Sequence, residues 1–242
     1  MSSFGNNSVL RFNERTGQYI DTFVTNNAGG LNGPHGLAYG PDGHLYVASA
    51  HNDTVLRYDG TNGTFLNIFV APRSGGLDYP VWLEFRGGSL FITAQLTNSV
   101  LRYNATNGAF IDAFVASTNN GGLSGPSGMT WGPDGNLYVV GRFGNHVMRY
   151  DGTTGAFIDV FVPAGGPLLQ PFGLHFGADT NLYVVSGNNS KLARFSATGT
   201  YLGDFVTNGS GGLAFPIGME FGPDGNLYVA SFNNGKVARF SS

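Results

Sequence analysis

The chain repeats itself, and no other feature of its 242 residues constrains the fold as strongly. Three copies of one phrase are nearly identical: GPHGLAYGPDGHLYVAS from Gly33, GPSGMTWGPDGNLYVVG from Gly125 and FPIGMEFGPDGNLYVAS from Phe215. Weaker copies begin at Tyr79 and Gln170. A second phrase, such as VLRYDGTNGTFLNIFV, lies between the copies. Its first apolar residue recurs at intervals of 46, 45, 47, 45 and 45 residues, at Val9, Val55, Val100, Val147, Leu192 and Val237.

Each period contains four short segments with strand character, labelled A to D in chain order. A is of the kind Gly-Leu-Ala-Tyr, B is Leu-Tyr-Val-Ala-Ser, C is Val-Leu-Arg-Tyr and D is Phe-Ile-Asp-Val-Phe-Val. Pro-Asp-Gly joins A to B, and Asp-Gly-Thr-Thr-Gly or a variant joins C to D; both are tight-turn sequences. An Asn-rich corner joins B to C, and a Gly-Gly-Leu connection leads from D to the next A.

Four antiparallel strands repeated about every 45 residues are typical of a β-propeller in which each repeat forms one blade. A parallel β-solenoid has shorter coils without paired hairpin turns, and a β-sandwich would not repeat so regularly. No amphipathic helical period runs for three turns, so the sequence predicts an all-β chain.

The phrase Pro-x-Gly-Leu-x-Phe-Gly-Pro-Asp-Gly-Asn-Leu-Tyr-Val, followed by Asn-Asn-x-Val-x-Arg-Tyr, resembles the NHL-type propeller repeat, including its streptogramin-lyase-like group. The resemblance covers essentially the whole chain. It implies a propeller fold but does not imply one function, because this family includes lyases, lactonase-like enzymes, receptor ectodomains and binding scaffolds.

Counting the strands predicts a five-bladed propeller of four-stranded antiparallel blades. The last A–B–C set, 217–240, has no D strand, and the first D strand, 18–24, has no A or B. Pairing the N-terminal strand with the C-terminal blade would cover an open sheet edge and close the ring. A six-bladed ring with two strands missing is the alternative. The prediction is a single domain, 1–242, with blades at approximately 33–70, 79–115, 125–162, 170–206, and 215–242 completed by 1–24.

An arginine in strand C is followed ten residues later by an aspartate in strand D, which predicts a charge-assisted hydrogen bond across the hairpin. The pairs are Arg11–Asp21, Arg102–Asp112, Arg149–Asp159 and Arg194–Asp204. Arg239 has no such aspartate and could take Asp21 on closure. One of the segments 9–12 and 237–240 is then redundant. A surplus strand at residues 2–13 could pair with a neighbouring molecule, which predicts self-association.

Composition excludes several classes of function. Only 11% of residues are charged, the net charge is −3 and lysine occurs twice, so the chain has no basic face for nucleic acid. No apolar stretch approaches the length of a membrane span, and no signal-peptide pattern opens the chain. The absence of cysteine excludes disulfide and thiolate chemistry. Low charge with many Asn, Thr and Ser residues favours an extracellular or envelope-associated bacterial protein.

Function is to be sought where the repeats disagree, because the positions that agree build the fold. Trp82 replaces a glycine found in every other blade, and His35 and Phe172 follow the proline that opens strand A. Gln95 and Arg142 are polar outliers at the B–C corner. We expect these five residues to form a ligand-binding face at the tunnel mouth, suited to a small ligand, a glycan or a peptide. For Trp82, plugging the tunnel is the alternative.

A metal site is the second prediction. Glu84, His175 and Glu220 occupy one variable position of strand A, and two carboxylates with an imidazole could hold a divalent cation in the central tunnel. Such a cation could polarise a carbonyl or activate water. This resembles streptogramin-lyase-like enzymes in outline, without their clustered His and Glu pattern. Hydrogen bonding between blades is the alternative role. His44 and His146 fall in turn or corner positions, where we expect solvated side chains.

These patterns together favour a non-catalytic propeller scaffold that binds a ligand or a protein through its tunnel-mouth face and needs no cofactor. The alternatives are a metal-dependent lyase or hydrolase with its site in the tunnel, and a self-assembling structural protein or designed repeat propeller.

Overall fold

The computed structural model describes residues 1–241 and is an all-β propeller of six blades, each a separate antiparallel sheet. No α-helix occurs in the described residues. Accordingly, these residues contain no helix long and apolar enough to cross a membrane. Six single-turn 3-10 segments lie at corners and loops: Phe4–Asn6, Ala28–Gly30, Ala50–Asn52, Ser74–Gly76, Ser210–Gly212 and Phe232–Asn234.

The chain divides into two compact units, and unit 1 is Met1–Ser117. It holds blades 1 to 3. Blade 1 is β1 (Ser2–Ser3), β2 (Ser8–Phe12) and β3 (Tyr19–Val24). Blade 2 is β4 (Pro34–Tyr39), β5 (Leu45–Ser49), β6 (Thr54–Tyr58) and β7 (Phe65–Val70). Blade 3 is β8 (Pro80–Arg86), β9 (Ser89–Ala94), β10 (Ser99–Asn104) and β11 (Phe110–Val115).

Unit 2 is Thr118–Ser242 and holds blades 4 to 6. Blade 4 is β12 (Pro126–Trp131), β13 (Leu137–Gly141), β14 (His146–Tyr150) and β15 (Phe157–Val162). Blade 5 is β16 (Pro171–Phe176), β17 (Leu182–Ser186), β18 (Lys191–Phe195) and β19 (Tyr201–Val206). Blade 6 is β20 (Pro216–Phe221), β21 (Leu227–Ser231) and β22 (Lys236–Phe240).

The prediction of five blades, closed by the N-terminal strand, is wrong. β3 pairs with β2 in a sheet of its own, and β1 adds a third strand through the pairs Ser2–Val9 and Ser3–Ser8. The β2–β3 hairpin is local, so it forms at a smaller cost in loop entropy than pairing with the far end of the chain. Within the described residues, blade 1 therefore lacks an A strand and blade 6 lacks a D strand. Residues 2–13 are part of blade 1 and are not a surplus strand.

The cores lie between successive sheets because alternate residues of a strand point to opposite faces. In β5, Leu45 and Val47 pack towards blade 1, where they join Val9 and Val24. Tyr46 and Ala48 of the same strand pack towards blade 3. Unit 2 repeats the arrangement, with one core between blades 4 and 5 and another between blades 5 and 6.

A recurring hydrogen bond ties a blade to the next one within each unit. The residue that ends the B–C corner has a positive φ. Its side-chain oxygen accepts a hydrogen bond from the backbone N–H of the residue before the next A-strand proline. The donor–acceptor pairs are Gly33–Asn7 at 2.8 Å, Tyr79–Asp53 at 2.9 Å, Gln170–Asn145 at 2.7 Å and Phe215–Ser190 at 3.2 Å. Asn and Asp tolerate this left-handed conformation better than most residues. The bond fixes the variable loop residues relative to the corner of the preceding blade.

Glycine recurs in the A strands because successive A strands approach closely. A Cβ on Gly36 would lie 2.7 Å from the carbonyl oxygen of Val81, and one on Gly128 would lie 2.5 Å from that of Phe172. Trp82 occupies the equivalent position in the last blade of unit 1, where no further A strand of that unit follows. Gly218 is the equivalent residue in the last blade of unit 2, and a Cβ added to it would have no atom within 4 Å.

Candidate functional site

Three positions of the repeat meet at the end of the blades where B–C corners and D–A loops lie together. The three positions come from three successive blades. The first blade contributes the first residue of its B–C corner, and the second contributes the residue after its A-strand proline. The third contributes the residue before its A-strand proline. In unit 1 these positions hold Phe4, His35 and Tyr79, which we call the unit 1 stack. In unit 2 they hold Arg142, Phe172 and Phe215, the unit 2 stack. The side chains contact one another in the same order in both units.

The unit 2 stack is built around a cation. The guanidinium carbon of Arg142 lies 4.1 Å from the ring centroid of Phe172, 5.9 Å from that of Phe215 and 5.5 Å from that of Phe143. Arg142 Nη2 donates to Oε1 of Gln170 at 3.4 Å. The rings attract the cation through their π faces, and the amide fixes the rotation of the guanidinium about its stem.

Part of this stack is open to solvent. Phe172 is buried, whereas Phe143 is 54% exposed and Phe232 is 46% exposed. The centroids of Phe215 and Phe232 are 6.3 Å apart. A buried aromatic floor with exposed apolar edges is suited to contact with a ligand, since exposed aromatic rings gain from leaving water.

The unit 1 stack has aromatic and imidazole rings in place of the arginine. The ring of His35 lies 5.0 Å from Phe4 and 5.5 Å from Tyr79, and its Nε2 is 3.4 Å from the Tyr79 hydroxyl. His51 adds a second imidazole, 5.2 Å from Phe4 and 5.8 Å from Tyr79. Its Nδ1 lies 3.2 Å from Oδ1 of Asn32. The unit 1 stack therefore offers stacking surfaces and hydrogen-bonding groups.

The five residues predicted as ligand contacts are distributed between the two units. Arg142 and Phe172 contact each other in unit 2, and His35 lies in the unit 1 stack. Gln95 is only 4% exposed, and its Nε2 makes no hydrogen bond within the described residues. Trp82 is half-buried on β8, where its backbone N–H donates to the Thr93 hydroxyl at 2.9 Å.

Sequence reasoning missed Phe4, Tyr79 and Phe215. Tyr79 and Phe215 immediately precede A-strand prolines, two residues before the variable positions that follow those prolines. The residue type at this position differs among the blades, and that variation could have marked Tyr79 and Phe215 as candidate site residues. Phe4 was missed because the B strand before it, Ser2–Ser3, has only two residues and no apolar pattern.

The residues predicted to bind a metal are Glu84 in unit 1 and His175 with Glu220 in unit 2. The ring of His175 contacts Phe221, with centroids 5.7 Å apart, and Glu220 is exposed. Among residues 1–241, no group of three or more His, Cys, Asp or Glu side chains is placed to hold a metal ion. Metal binding stays a prediction that a measurement of bound metal must decide.

His146 is half-buried, contrary to the expectation of a solvated side chain. Its imidazole fills the space beside two glycines of its own blade: a Cβ on Gly141 would lie 2.0 Å from Nε2, and one on Gly144 would lie 2.1 Å from Cε1. Nε2 is buried and makes no hydrogen bond within the described part of the chain. Burial lowers the pKa of His146, because the charged imidazolium is poorly solvated there.

Comparison with known proteins agrees with the repeat. A profile of the NHL repeat matches residues 31–58. No curated protein sequence matches the chain. A chain of the nidogen/laminin complex is 18% identical, with a TM-score of 0.77, and the match covers 98% of this chain and 86% of that one. A gluconolactonase from Xanthomonas campestris is also 18% identical, with a TM-score of 0.74 and coverage of 95% and 77%.

An inactive virginiamycin B lyase from Staphylococcus aureus, solved with quinupristin, is 17% identical with a TM-score of 0.63, and the match covers 86% of this chain and 70% of the lyase. At 17–18% identity these structures show a shared fold only. The predicted resemblance to NHL-type propellers is confirmed by the profile match and by these neighbours.

Proposed function

We propose that this six-bladed propeller, which carries an NHL repeat, is a non-catalytic scaffold that binds a small ligand, glycan or peptide through its B–C corners and D–A loops. One observation carries the proposal. Arg142 is held over the buried Phe172 ring beside Phe143, which is 54% exposed. A cation and apolar surface are thereby presented together at positions where the repeats disagree.

The repeated polar residues support this proposal because contacts within the blades occupy them. Asp134 accepts from the Tyr138 hydroxyl at 2.9 Å, and Asp159 pairs with Arg149. The carboxylates of the C–D turns accept from backbone N–H groups, as Asp151 does from Thr153 at 3.0 Å. These side chains hold turns and sheets together, so recognition chemistry is concentrated at the variable loop positions.

The comparisons support a binding role at the level of the fold. A propeller with a TM-score of 0.77 to this chain occurs in the nidogen/laminin complex. The same fold also occurs in a lyase and a gluconolactonase. The fold is therefore compatible with a scaffold, and the exposed loop residues are the reason for preferring one here.

The proposal is tested by screening glycan and peptide panels with the wild type and with a double variant, Phe143→Ala and Phe232→Ala. We expect at least one ligand whose binding the double variant weakens by about tenfold or more, since buried aromatic contacts dominate such interfaces. The matched control is Ile20→Ala with Ile158→Ala, which removes side chains of 50% and 42% exposure from the outer strands. Absence of any ligand, or equal loss in both double variants, would contradict the proposal.

The enzyme alternative is decided by native mass spectrometry with and without a chelator. A folded protein that carries one chelator-sensitive divalent ion, and loses it on His175→Ala, would replace the scaffold with a metal-dependent lyase or hydrolase. A metal-free protein would leave ligand binding as the function to pursue.

A further inference from the structure

The outer strand of blade 2, β7, differs from the outer strands of the other blades because it carries no charge. Its sequence is Phe-Leu-Asn-Ile-Phe-Val. The four other D strands of the described residues each contain one aspartate, and these are Asp21, Asp112, Asp159 and Asp204. Asn67 lies opposite the strand C arginine of its blade, which is the position that an aspartate holds in blades 1, 3 and 4.

The asparagine costs blade 2 an ion pair across its outer hairpin. In blade 4, Nε of Arg149 donates to Asp159 at 3.1 Å, and blades 1 and 3 make the same bond. In blade 2, Nε of Arg57 is buried and makes no hydrogen bond within residues 1–241. Nη2 of Arg57 instead pairs with Oδ2 of Asp42, in the turn between β4 and β5, at 2.8 Å. A residue that departs from its repeat and leaves a buried donor without a partner points to a role outside its own blade.

The edge of β7 exposes three consecutive side chains. Leu66 is 41% exposed and Ile68 is 50% exposed, and Asn67 is exposed between them. β15 in blade 4 provides a matched comparison, because its two aliphatic residues at these positions are 42% and 44% exposed but flank the carboxylate of Asp159. The two edges present similar apolar surface and differ in charge. Charge is one of the usual means by which proteins protect sheet edges, and β7 lacks it.

This neutral edge is complementary to itself. A side-chain amide has both a donor and an acceptor, so it can pair with a second copy of the same amide, whereas two carboxylates repel each other. Two copies related by a two-fold axis place identical residues together at the axis. With the axis beside Asn67 and the two strands antiparallel, Leu66 of one copy faces Ile68 of the other.

We propose that β7 is a self-association edge, at which two copies of the chain meet through Leu66, Asn67 and Ile68. A β-bulge leaves Leu66 without a partner residue in β6, and bulges disfavour the addition of a further strand. The copies therefore meet through side chains and not through a continuous sheet. Because so small a contact buries well under about 1,200 Å², we expect a weak dimer with a dissociation constant of about 0.1–1 mM. A dimer would present two loop faces to a multivalent ligand.

Sedimentation equilibrium on the full chain tests the association at protein concentrations from about 20 µM to about 1 mM. We expect the average mass of the wild type to rise towards that of a dimer. Ile68→Lys should weaken the association by about tenfold or more, because it places like charges at the contact. The matched control is Val160→Lys on β15, which should leave the association unchanged. Melting temperatures confirm that both variants are folded.

Asn67→Asp separates a role between copies from a role within the blade. It restores the residue of blades 1, 3 and 4 and offers Arg57 the partner that it lacks. We expect the melting temperature to rise by about 1–3 °C, the size expected for a partly exposed ion pair in a chain of this length. We expect the same variant to associate about tenfold more weakly or less than that, because two carboxylates then meet at the axis.

Cross-linking tests the two-fold geometry directly, since the chain contains no cysteine of its own. A residue beside the axis approaches its own copy, and a disulfide requires Cα atoms within about 7 Å of each other. Asn67→Cys should therefore form a disulfide-linked dimer under mild oxidation. Asp159→Cys, at the equivalent position of β15, should form it much more slowly.

Self-association through β7 is overturned if the wild type stays monomeric at about 1 mM, or if the two lysine variants associate alike. It is also overturned if Asn67→Asp leaves the association unchanged, or if the two cysteine variants cross-link at equal rates. None of these outcomes bears on ligand binding by the loop face, which the glycan and peptide panels test separately.

Discussion

At the scale of single residues, blade 5 pairs its aspartate differently from blade 4, and one residue of loop length explains why. Asp159 lies opposite Arg149 and binds it. Asp204 lies opposite Ala193, and its carboxylate accepts from Lys191 Nζ at 2.8 Å. Six residues separate β14 from β15, and five separate β18 from β19. A slip of one residue moves a side chain to the other face of the strand.

Double-mutant cycles should detect this difference. Arg149→Gln with Asp159→Asn is expected to give a coupling energy of about 0.5–1 kcal/mol, a range typical of partly exposed ion pairs. Arg194→Gln with Asp204→Asn should give a coupling energy near zero, because Asp204 bonds to Lys191 instead. Urea unfolding of the single and double variants provides the free energies. Equal coupling in the two blades would contradict the register.

His146 should make the stability pH-dependent. Its folded-state pKa is lowered by burial, so the unfolded chain takes up the proton first as the pH falls through about 6.5. The neutral imidazole therefore contributes fully to the unfolding free energy above that pH, and this contribution is lost as the pH decreases below it. Unfolding free energies at about pH 7.5 and about pH 5.5 measure the effect.

His146→Thr, which installs the residue of blade 2 at this position, should reduce the loss of stability between the two pH values. The control is His44→Asn, which installs the residue that the Pro-Asp-Gly turns of blades 4 and 6 carry at its position. An unchanged pH dependence in His146→Thr would show that other groups cause it.

At the scale of elements, β22 is nearly a copy of β18, but within residues 1–241 no D strand pairs with it. The two strands, Lys-Val-Ala-Arg-Phe and Lys-Leu-Ala-Arg-Phe, differ at one residue. Leu192 is fully buried beneath β19, whereas Val237 is 47% exposed. An uncovered edge strand offers unpaired backbone groups and apolar side chains to any strand of matching pattern.

Adding a D strand next to β22 should stabilise the protein. A copy of residues 197–207 joined after Ser241 would supply the turn and D strand that β18 already has. We expect a gain of about 2 kcal/mol in unfolding free energy, the order of burying one Val-sized side chain. The control carries proline at the position copied from Gly203, which cannot donate to the sheet. Equal stability of the two extensions would show that the added segment does not pair with β22.

The A-to-D strand order followed from alternation and turn chemistry, and the variable positions led to Arg142 and Phe172. The blade count was missed because Ser2–Ser3 is too short to show a pattern. The variation among blades could have marked Tyr79 and Phe215, but it does not reveal that both residues adopt positive φ values, 54° and 53°. Sequence does not predict that conformation for aromatic residues, since it accompanies a hydrogen bond that their backbone N–H donates to a side chain of the preceding blade.

At the scale of the whole molecule, the first residues have a structural role that the repeat count concealed. Val9 of β2 is 4% exposed and shares a core with Phe23, Val24, Leu31 and Leu45. β2 also pairs along its length with β3. Deleting residues 2–13 would remove two strands of blade 1 and expose this core.

We therefore expect the deletion to lower the melting temperature, and Val9→Ser to lower the unfolding free energy by about 2 kcal/mol through the loss of a buried apolar side chain. Leu10→Ser, on the less buried neighbour, should cost less. Light scattering coupled to size exclusion separates this role from strand exchange between molecules. If residues 2–13 acted as an exchanged strand, their deletion would convert an oligomer into a monomer and leave the melting temperature unchanged. If they complete blade 1, stability falls whatever the oligomeric state, because the core between blades 1 and 2 is built in part from β2.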